Sequence, residues 1–341
     1  MNTILCEYVN RNIHDAGNKA RSDALKIAKD LGYVHIPLFR SGAPKIQVMC
    51  QLVAGIVQAV VCTGAGQDLL VQYPYYPSPI NWALCKSLAL GRRLKHYRMT
   101  ILVHDLPSLR DGAGSRQGAL TTEIRQLAIF DRVICHNDKM KTLLQTSAPT
   151  GCYKALGPFD YLYEGQAVAP DETEAPSIVI AGNLNREKSG YIYHLATLQS
   201  LQFRLYGVGY KPYPAENLHY QGQFPPEDLI VHLKGSYGLV WDGSSIHTCE
   251  GNYGTYLRYN NPHKFSLYLA AGLPVIVWSQ SALANYVSEK GIGLTVNSLE
   301  ELSAKLHETD ETSYRLMRQH VLQVRDEIIH GTHLKSALLD W

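Results

Sequence analysis

The sequence is poor in phenylalanine, with six against 22 tyrosines. Rings with one polar end suit half-buried, wet surfaces more than a purely apolar core. No C-x-x-C pair occurs among the seven cysteines, at 6, 50, 62, 85, 135, 152 and 249. An odd count lying mostly in apolar runs reads as buried, reduced thiols of a cytosolic protein. No basic n-region follows Met1-Asn2-Thr3, so no signal peptide is expected. The one membrane-like stretch, 46–62, is short for a span and carries Gln47, Gln51 and Gln58. It reads as a buried helix, with a membrane-dipping helix as the alternative.

Strong chemical signatures are missing as well. There is no Walker A, no H-E-x-x-H and no G-x-S-x-G. Gly64-Ala65-Gly66 lacks the third glycine of a dinucleotide fingerprint and precedes a strand rather than following one. That argues against an oxidoreductase on two nucleotide-binding domains. No Asp-x-Asp pair is present to hold a divalent ion on a diphosphate. An anionic leaving group would then need helix N-termini and basic side chains.

What is there is a chain of 341 residues, 45% hydrophobic and 18% charged, enough for two domains with sizeable cores. Residues 1–168 hold 19 Lys/Arg and 12 Asp/Glu, whereas 169–341 hold 13 and 18. The first half is therefore basic and favours anionic surroundings. Strand-like and helix-like segments alternate in it: strands at 4–9, 34–39, 68–73, 98–103 and 132–135, helices at 18–31, 44–62, 81–90, 116–128 and 138–144. The polar, acidic stretch 164–176 looks like a linker. Alternation then restarts, with strands at 177–181, 203–206, 237–241 and 274–277. Helices follow at 225–234, 263–271, 282–290 and 299–307, with a last one near 310–329. The boundaries expected are one Rossmann-like domain at 1–165, a second at 176–310, and C-terminal helices over 311–341. Ligands of such sheets bind beyond the carboxyl ends of the strands.

Several strand ends carry chemistry. In Asn260-Asn261-Pro262-His263-Lys264, Asn261 fits a helix N-cap and Pro262 the first helical position. Lys264 in the first turn opposes the helix dipole, at about 0.3–1 kcal/mol, unless an anion sits there. An ordinary capped helix with Lys264 in water is the alternative. Gly182-Asn183, with Arg186, Lys188 and Ser189, forms a turn able to reach a diphosphate, or a plain surface turn. Tyr206-Gly207-Val208-Gly209 and Gly222-Gln223-Phe224 are glycine breaks after strands that could accept a flat base against backbone groups, or be plain turns. Asp242 ends an apolar strand, where it could bind sugar hydroxyls or cap the next turn. In the first half, His104-Asp105 and Asp15-Ala16-Gly17 follow strands. A carboxylate there could take a proton from an incoming hydroxyl; a helix cap at Asp15 and a core histidine at His104 are the alternatives. His136-Asn137 is equally ambiguous. Lys86, Arg92, Arg93, Lys95, His96 and Arg98 cluster at one helix end, as a solvated face or a contact for anionic headgroups. No nucleic-acid reading module is evident.

Taken together, Asp15-Ala16-Gly17, Lys19-Ala20-Arg21, His104-Asp105, His136-Asn137, Phe159-Asp160-Tyr161, Ala181 to Leu184, Gly238 to Gly243, Thr248-Cys249 and Tyr259 to Lys264 are similar to a known family. The chain resembles the metal-independent GT-B glycosyltransferases, and more narrowly the bacterial β-1,6-galactofuranosyltransferases of O-antigen and polysaccharide assembly. A more distant likeness is to glucosyltransferases that extend GlcNAc on secreted adhesins. The resemblance implies an α/β, GT-B-like fold: two doubly wound Rossmann-type domains facing a cleft, with a C-terminal helix packed back on the N-terminal domain. It implies inverting transfer of galactofuranose from UDP-galactofuranose, with no cofactor, no metal and no nucleic acid. Asp105 or Asp15 would be the base, assisted by His104. The donor set would be Gly182, Asn183, Arg186, Lys188, Tyr206, Asp242, Asn261, His263 and Lys264. The acceptor would be an oligosaccharide or lipid-linked glycan, with the protein cytoplasmic or peripheral at the inner face of an anionic membrane. A pyranosyl transferase using UDP-glucose and a non-catalytic carbohydrate-binding partner are the competing readings.

Overall fold

In the computed structural model, which describes residues 1–7, 16–38, 45–74, 78–112, 117–169 and 176–341, the backbone forms two parallel six-stranded sheets. Each sheet belongs to its own unit. One holds the first strand, Ala20–Gly157 and Leu334–Trp341; the other holds Pro158–His333 together with the start of the first helix, 16–19. The fold is of the GT-B type, an α/β pair of Rossmann-type units.

The first sheet runs β2-β1-β3-β4-β5-β6. Its strands are β1 (Thr3–Glu7), β2 (Val34–Leu38), β3 (Asp68–Tyr73), β4 (Arg98–Val103), β5 (Arg132–Cys135) and β6 (Tyr153–Ala155). The helices between them are α1 (Ala16–Asp30), α2 (Lys45–Cys62), α3 (Ser78–Lys95), α4 (Pro107–Arg110), α5 (Gln117–Leu127) and α6 (Asp138–Ser147). Central strand β3 is buried at every residue, as expected for a parallel strand covered on both faces. Helix α3 runs past the expected end at 90. Gly91 lies inside it because a Cβ there would stand 2.5 Å from Val60 of α2, so the glycine marks where the two helices touch.

The second sheet runs β12-β11-β10-β7-β8-β9, the Rossmann order in which the sequence reverses beside β7. Its strands are β7 (Ser177–Asn183), β8 (Gln202–Val208), β9 (Leu218–Gly222), β10 (Tyr237–Val240), β11 (Val275–Trp278) and β12 (Gly293–Val296). Its helices are α7 (Arg186–Ser189), α8 (Pro226–His232), α9 (Gly251–Tyr256), α10 (His263–Ala271), α11 (Ala284–Lys290), α12 (Leu302–Glu308) and α13 (Glu311–Ile329), followed by α14 (Thr332–Leu339). Two 3-10 segments, Gly190–Thr197 and Leu299–Glu301, complete it.

Helix α10 is buried at every residue from Phe265 to Ala271, because the sheet covers one side and α13 the other. Val321, Val324 and Ile328 form the buried stripe of α13. The long helix α13 thus belongs to the second unit, and only the short terminal segment groups with the first. There Lys154 Nζ donates to the Ser336 carbonyl at 3.2 Å, and Arg132 lies over the Trp341 ring. Strands β6, β9 and β12 have no counterpart in the expected elements, and β6 and β12 are among the shortest. Four cysteines are buried, at 6, 85, 135 and 249, while Cys50 and Cys152 are exposed.

The packing of α10 on the sheet depends on Gly238. A Cβ at Gly238 of β10 would lie 2.1 Å from the Tyr268 ring, and Tyr268 Oη in turn accepts the Ala181 amide of β7 at 2.8 Å. Gly238→Ala should therefore destabilise the chain by about 1–3 kcal/mol through overpacking. A guanidinium unfolding curve with an unchanged midpoint would contradict this packing.

Candidate active site

The carboxyl ends of β7 and β8 and the start of α10 enclose a pocket of about 280 Å³ within the second unit. Close approach of two glycines shapes its floor. Gly182 and Gly207 are register partners with φ of 122° and 139°. A Cβ on Gly207 would stand 1.8 Å from the Gly182 carbonyl oxygen, so any larger residue would push the strand ends apart. Val208, Phe224, Leu229 and Leu267 make an apolar wall, with Tyr206 and Tyr161 beside them. The Phe224 ring is itself stacked on His232 at 3.9 Å. Asn183, Lys188, His263 and Lys264 make the polar wall. Among the described residues, the lining holds two lysines and no carboxylate.

Lys264 is the centre of that wall. Its Nζ donates to Asp242 Oδ1 at 2.8 Å and to the Trp241 carbonyl at 2.7 Å. The lysine and aspartate side chains are 11% and 5% exposed. Burial holds the ammonium below the ordinary lysine range, and the Asp242 charge works against that shift. Lys188 lies close enough to add a second repulsive cation. Asp242 is therefore a counter-ion behind Lys264 rather than part of the lining.

The start of α10 differs from the expected cap. Pro262, not Asn261, occupies the N-cap, and the helix begins at His263 with no side-chain cap. Proline has no side chain able to accept from the first-turn amides, and Asn261 sits buried one residue earlier. The first-turn amides and Lys264 thus share one end of the pocket, which is chemistry suited to an anion. His263 is braced by the segment Phe159-Asp160-Tyr161. Its ring packs on Tyr161 at 5.1 Å and Phe159 at 6.3 Å. One ring nitrogen donates to the Asp160 carbonyl, and Nε2 is buried without a partner. Burial pushes the imidazole down to about 3, so Nε2 is a hydrogen-bond acceptor at neutral pH.

Of the residues singled out in sequence, Gly182, Asn183, Lys188, Tyr206, His263 and Lys264 come together here. Arg186 does not line the pocket; its guanidinium lies over the Tyr193 ring at 4.2 Å. Ser189 caps no helix and donates instead to the Asn183 carbonyl at 2.8 Å. Gln223 and Phe224, from the glycine break after β9, also line the pocket, whereas Pro226 and Leu229 carry no sequence signal beyond a helix start.

His104 and Asp105 follow β4 in the first unit. The Gln72 amide donates to the Arg21 carbonyl and to Cys6 Sγ, both at 3.2 Å. Those two acceptors fix the amide so that Gln72 Oε1 meets His104 Nε2 at 2.7 Å. In that arrangement Nε2 carries the proton and Nδ1 the lone pair. Asp105 pairs with Arg110 at 2.7 Å, and Arg110 also grips Asp111. Sequence reasoning missed Gln72, Arg110 and a buried carboxyl, Glu123, which accepts Tyr73 Oη at 2.6 Å and the Ser108 amide at 3.1 Å. Burial raises the Glu123 pKa. Asp15 and residues 113–116 lie outside the described residues. His136 resolves to a core histidine that donates to the backbone at Val103 and His104, and Asn137 caps α6 through the Met140 amide at 3.0 Å.

Comparison with known proteins adds the family. Residues 2–149 match the glucosyltransferase 3-like N-terminal domain, and 178–341 match the corresponding C-terminal domain. The chain is 32% identical to beta-1,6-galactofuranosyltransferase WbbI of Escherichia coli (strain K12), over 95% of its own length and 93% of the relative. It is 25% identical to glucosyltransferase 3 of Streptococcus gordonii, over 94% and 92%. Among solved structures, sucrose-phosphate synthase from Thermosynechococcus elongatus superposes with a TM-score of 0.66 at 13% identity, covering 99% of this chain and 97% of that one.

The buried histidines give the fold an acid limit. His136 is held down to about 3 by burial, whereas an unfolded chain takes up that proton near 6.5. Its contribution to stability is complete above about pH 6.5 and is lost as pH falls from there toward about 3, by at most about 1.4 kcal/mol per pH unit. Unfolding midpoints measured from neutral to acid pH should fall less steeply in His136→Gln than in the unmodified chain; parallel curves would contradict the assignment.

Proposed function

The chain belongs to the glucosyltransferase 3-like family, and from that premise we propose that it moves galactofuranose from UDP-galactofuranose to a glycan hydroxyl. That it is a glycosyltransferase follows from its relatives; the proposal concerns donor, acceptor and mechanism. The observation that carries it is the pocket whose lining, among the described residues, holds two lysines and no carboxylate at a start of α10 that has no side-chain cap from its N-cap residue. A nucleoside diphosphate fits that chemistry: a flat base against Phe224, Tyr206 and the glycine floor, and phosphates against Lys188, Lys264 and the first-turn amides. The extent of similarity to a named galactofuranosyltransferase supports the sugar.

Transfer with inversion needs one base on the acceptor and charge stabilisation of departing UDP. In this reading Asp105 or Asp15 takes the acceptor proton, with His104, oriented by Gln72, assisting. The negative charge that develops on the leaving diphosphate is met by Lys264, Lys188 and the helix amides rather than by a divalent ion. His263 Nε2 accepts from a ribose or sugar hydroxyl. The acceptor is a growing glycan of bacterial polysaccharide or O-antigen synthesis, lipid-linked or a free oligosaccharide. The Streptococcus gordonii relative favours a second reading, transfer of glucose from UDP-glucose.

Two measurements test the proposal. Replacing Lys264 alone would strand Asp242 buried without its cation, at about 3–5 kcal/mol. The double variant Lys264→Gln/Asp242→Asn removes both charges and should weaken UDP binding about 10- to 100-fold by calorimetry, the worth of a hydrogen bond to a charged group. Unchanged affinity would remove Lys264 from the site. Incubated with an acceptor panel, the enzyme should release UDP from UDP-galactofuranose; turnover with UDP-glucose alone would reject the galactofuranosyl reading.

A further inference from the structure

Helices α2 and α3 carry an apolar ridge that the core does not use. On α2 the side chains of Met49, Val53, Val57 and Val61, four residues apart, are 50%, 54%, 55% and 64% exposed. On α3 Trp82, Leu90 and Leu94 are 47%, 61% and 72% exposed. Right-handed crossovers from β2 to β3 and from β3 to β4 put both helices on one face of the first sheet, where they meet at Gly91 and Val60. Their opposite sides are committed: Ala59 of α2 and Leu84 and Leu88 of α3 are buried. The ridge is therefore the outward side of a fixed helix pair.

The charge on these two helices has one sign. Neither 18-residue helix contains an Asp or Glu. Lys86 lies 3.8 Å over the Trp82 ring, and Arg93 and Lys95 are exposed at the end of α3. Arg92 is held by Asp131 and does not count. An exposed valine ridge, a tryptophan beside a lysine and a cationic border fit the interfacial zone of a bilayer. No helix among the described residues is long and apolar enough to cross a membrane, so the contact is with the surface.

We propose that the α2/α3 face docks on an anionic lipid bilayer, the ridge entering the headgroup boundary and Arg93, Lys95 and Lys86 meeting lipid phosphates. A second copy of the chain is the weaker occupant, since a two-fold contact would set this cationic face against itself. A nucleic acid would use the cations but would gain nothing from the valines. The inference goes beyond the transfer reaction and needs neither the donor assignment nor UDP binding.

The test is co-sedimentation of the full chain with phosphatidylcholine vesicles containing phosphatidylglycerol, against phosphatidylcholine alone. Binding should require phosphatidylglycerol and weaken with added salt. Val53→Asp/Val57→Asp should abolish it, and Arg93→Gln/Lys95→Gln should weaken it roughly 30-fold. All four positions are exposed, and thermal melts and UDP affinity like those of the unmodified chain would confirm intact variants. The proposal is overturned by absence of binding to both vesicles, or by variants that bind as well as the unmodified chain. It is also overturned if size-exclusion shows a dimer that Val53→Asp/Val57→Asp splits while lipid binding is absent.

Discussion

A lysine in the first turn of a buried helix is the constraint around which the second unit is arranged. Lys264 faces the positive end of the α10 dipole, loses water on burial and stands near Lys188. Each of these disfavours its charge. Asp242 and the Trp241 carbonyl offset them from the end of β10. They do not remove the excess: two lysines and the amides of an N-terminus whose N-cap is proline converge on a pocket whose lining, among the described residues, contributes no carboxylate. Such an arrangement is poor for an empty protein interior and good for a ligand that brings negative charge, which is why the anion-binding reading is preferred over an ordinary helix start.

The scaffold makes this charge arrangement rigid. Helix α10 is enclosed on both sides, so its first turn has no freedom to move outward. Gly238 lets Tyr268 lie flat on β10, and Tyr268 then ties the helix to β7 through the Ala181 amide. At the strand ends, Gly182 and Gly207 bring backbone against backbone. Phe159 and Tyr161 hold His263 by tilted ring contacts, and the Asp160 carbonyl accepts one hydrogen bond from it. The polar groups of the pocket, Asn183, Lys188, His263 and Lys264, thus stand on a strand and helix starts, as preorganised electrostatics requires.

Much of this was legible in the residue order. The alternation of segments gave two parallel sheets, because strands buried on both faces read as apolar runs such as 68–73. The turn at 182–188 follows β7 and the run 259–264 opens α10, and residues of both line the pocket. Partnerships were not legible. Asp242 and Lys264 are 22 residues apart, and nothing in either segment announces that one neutralises the other. Asn261-Pro262 fits an N-cap and first helical residue one position early as well as Pro262-His263 does, so the one-residue shift of the cap is not legible in the sequence. Gln72 and Glu123 looked like ordinary residues within a strand and a helix, since only the fold encloses them with His104 and with Tyr73 and Ser108. The ridge on α2 read as core because an uncharged amphipathic helix and a surface helix with an apolar outer side have the same composition.

The account rests on charge compensation of a diphosphate by protein groups alone. A crystal structure of the chain with UDP in the presence of a chelator tests this most directly. The expected result is the diphosphate within hydrogen-bond distance of Lys264 Nζ, Lys188 Nζ and the first amides of α10, with the base against Phe224. UDP lodged outside this pocket, or ordered only when magnesium or manganese is supplied, would contradict it.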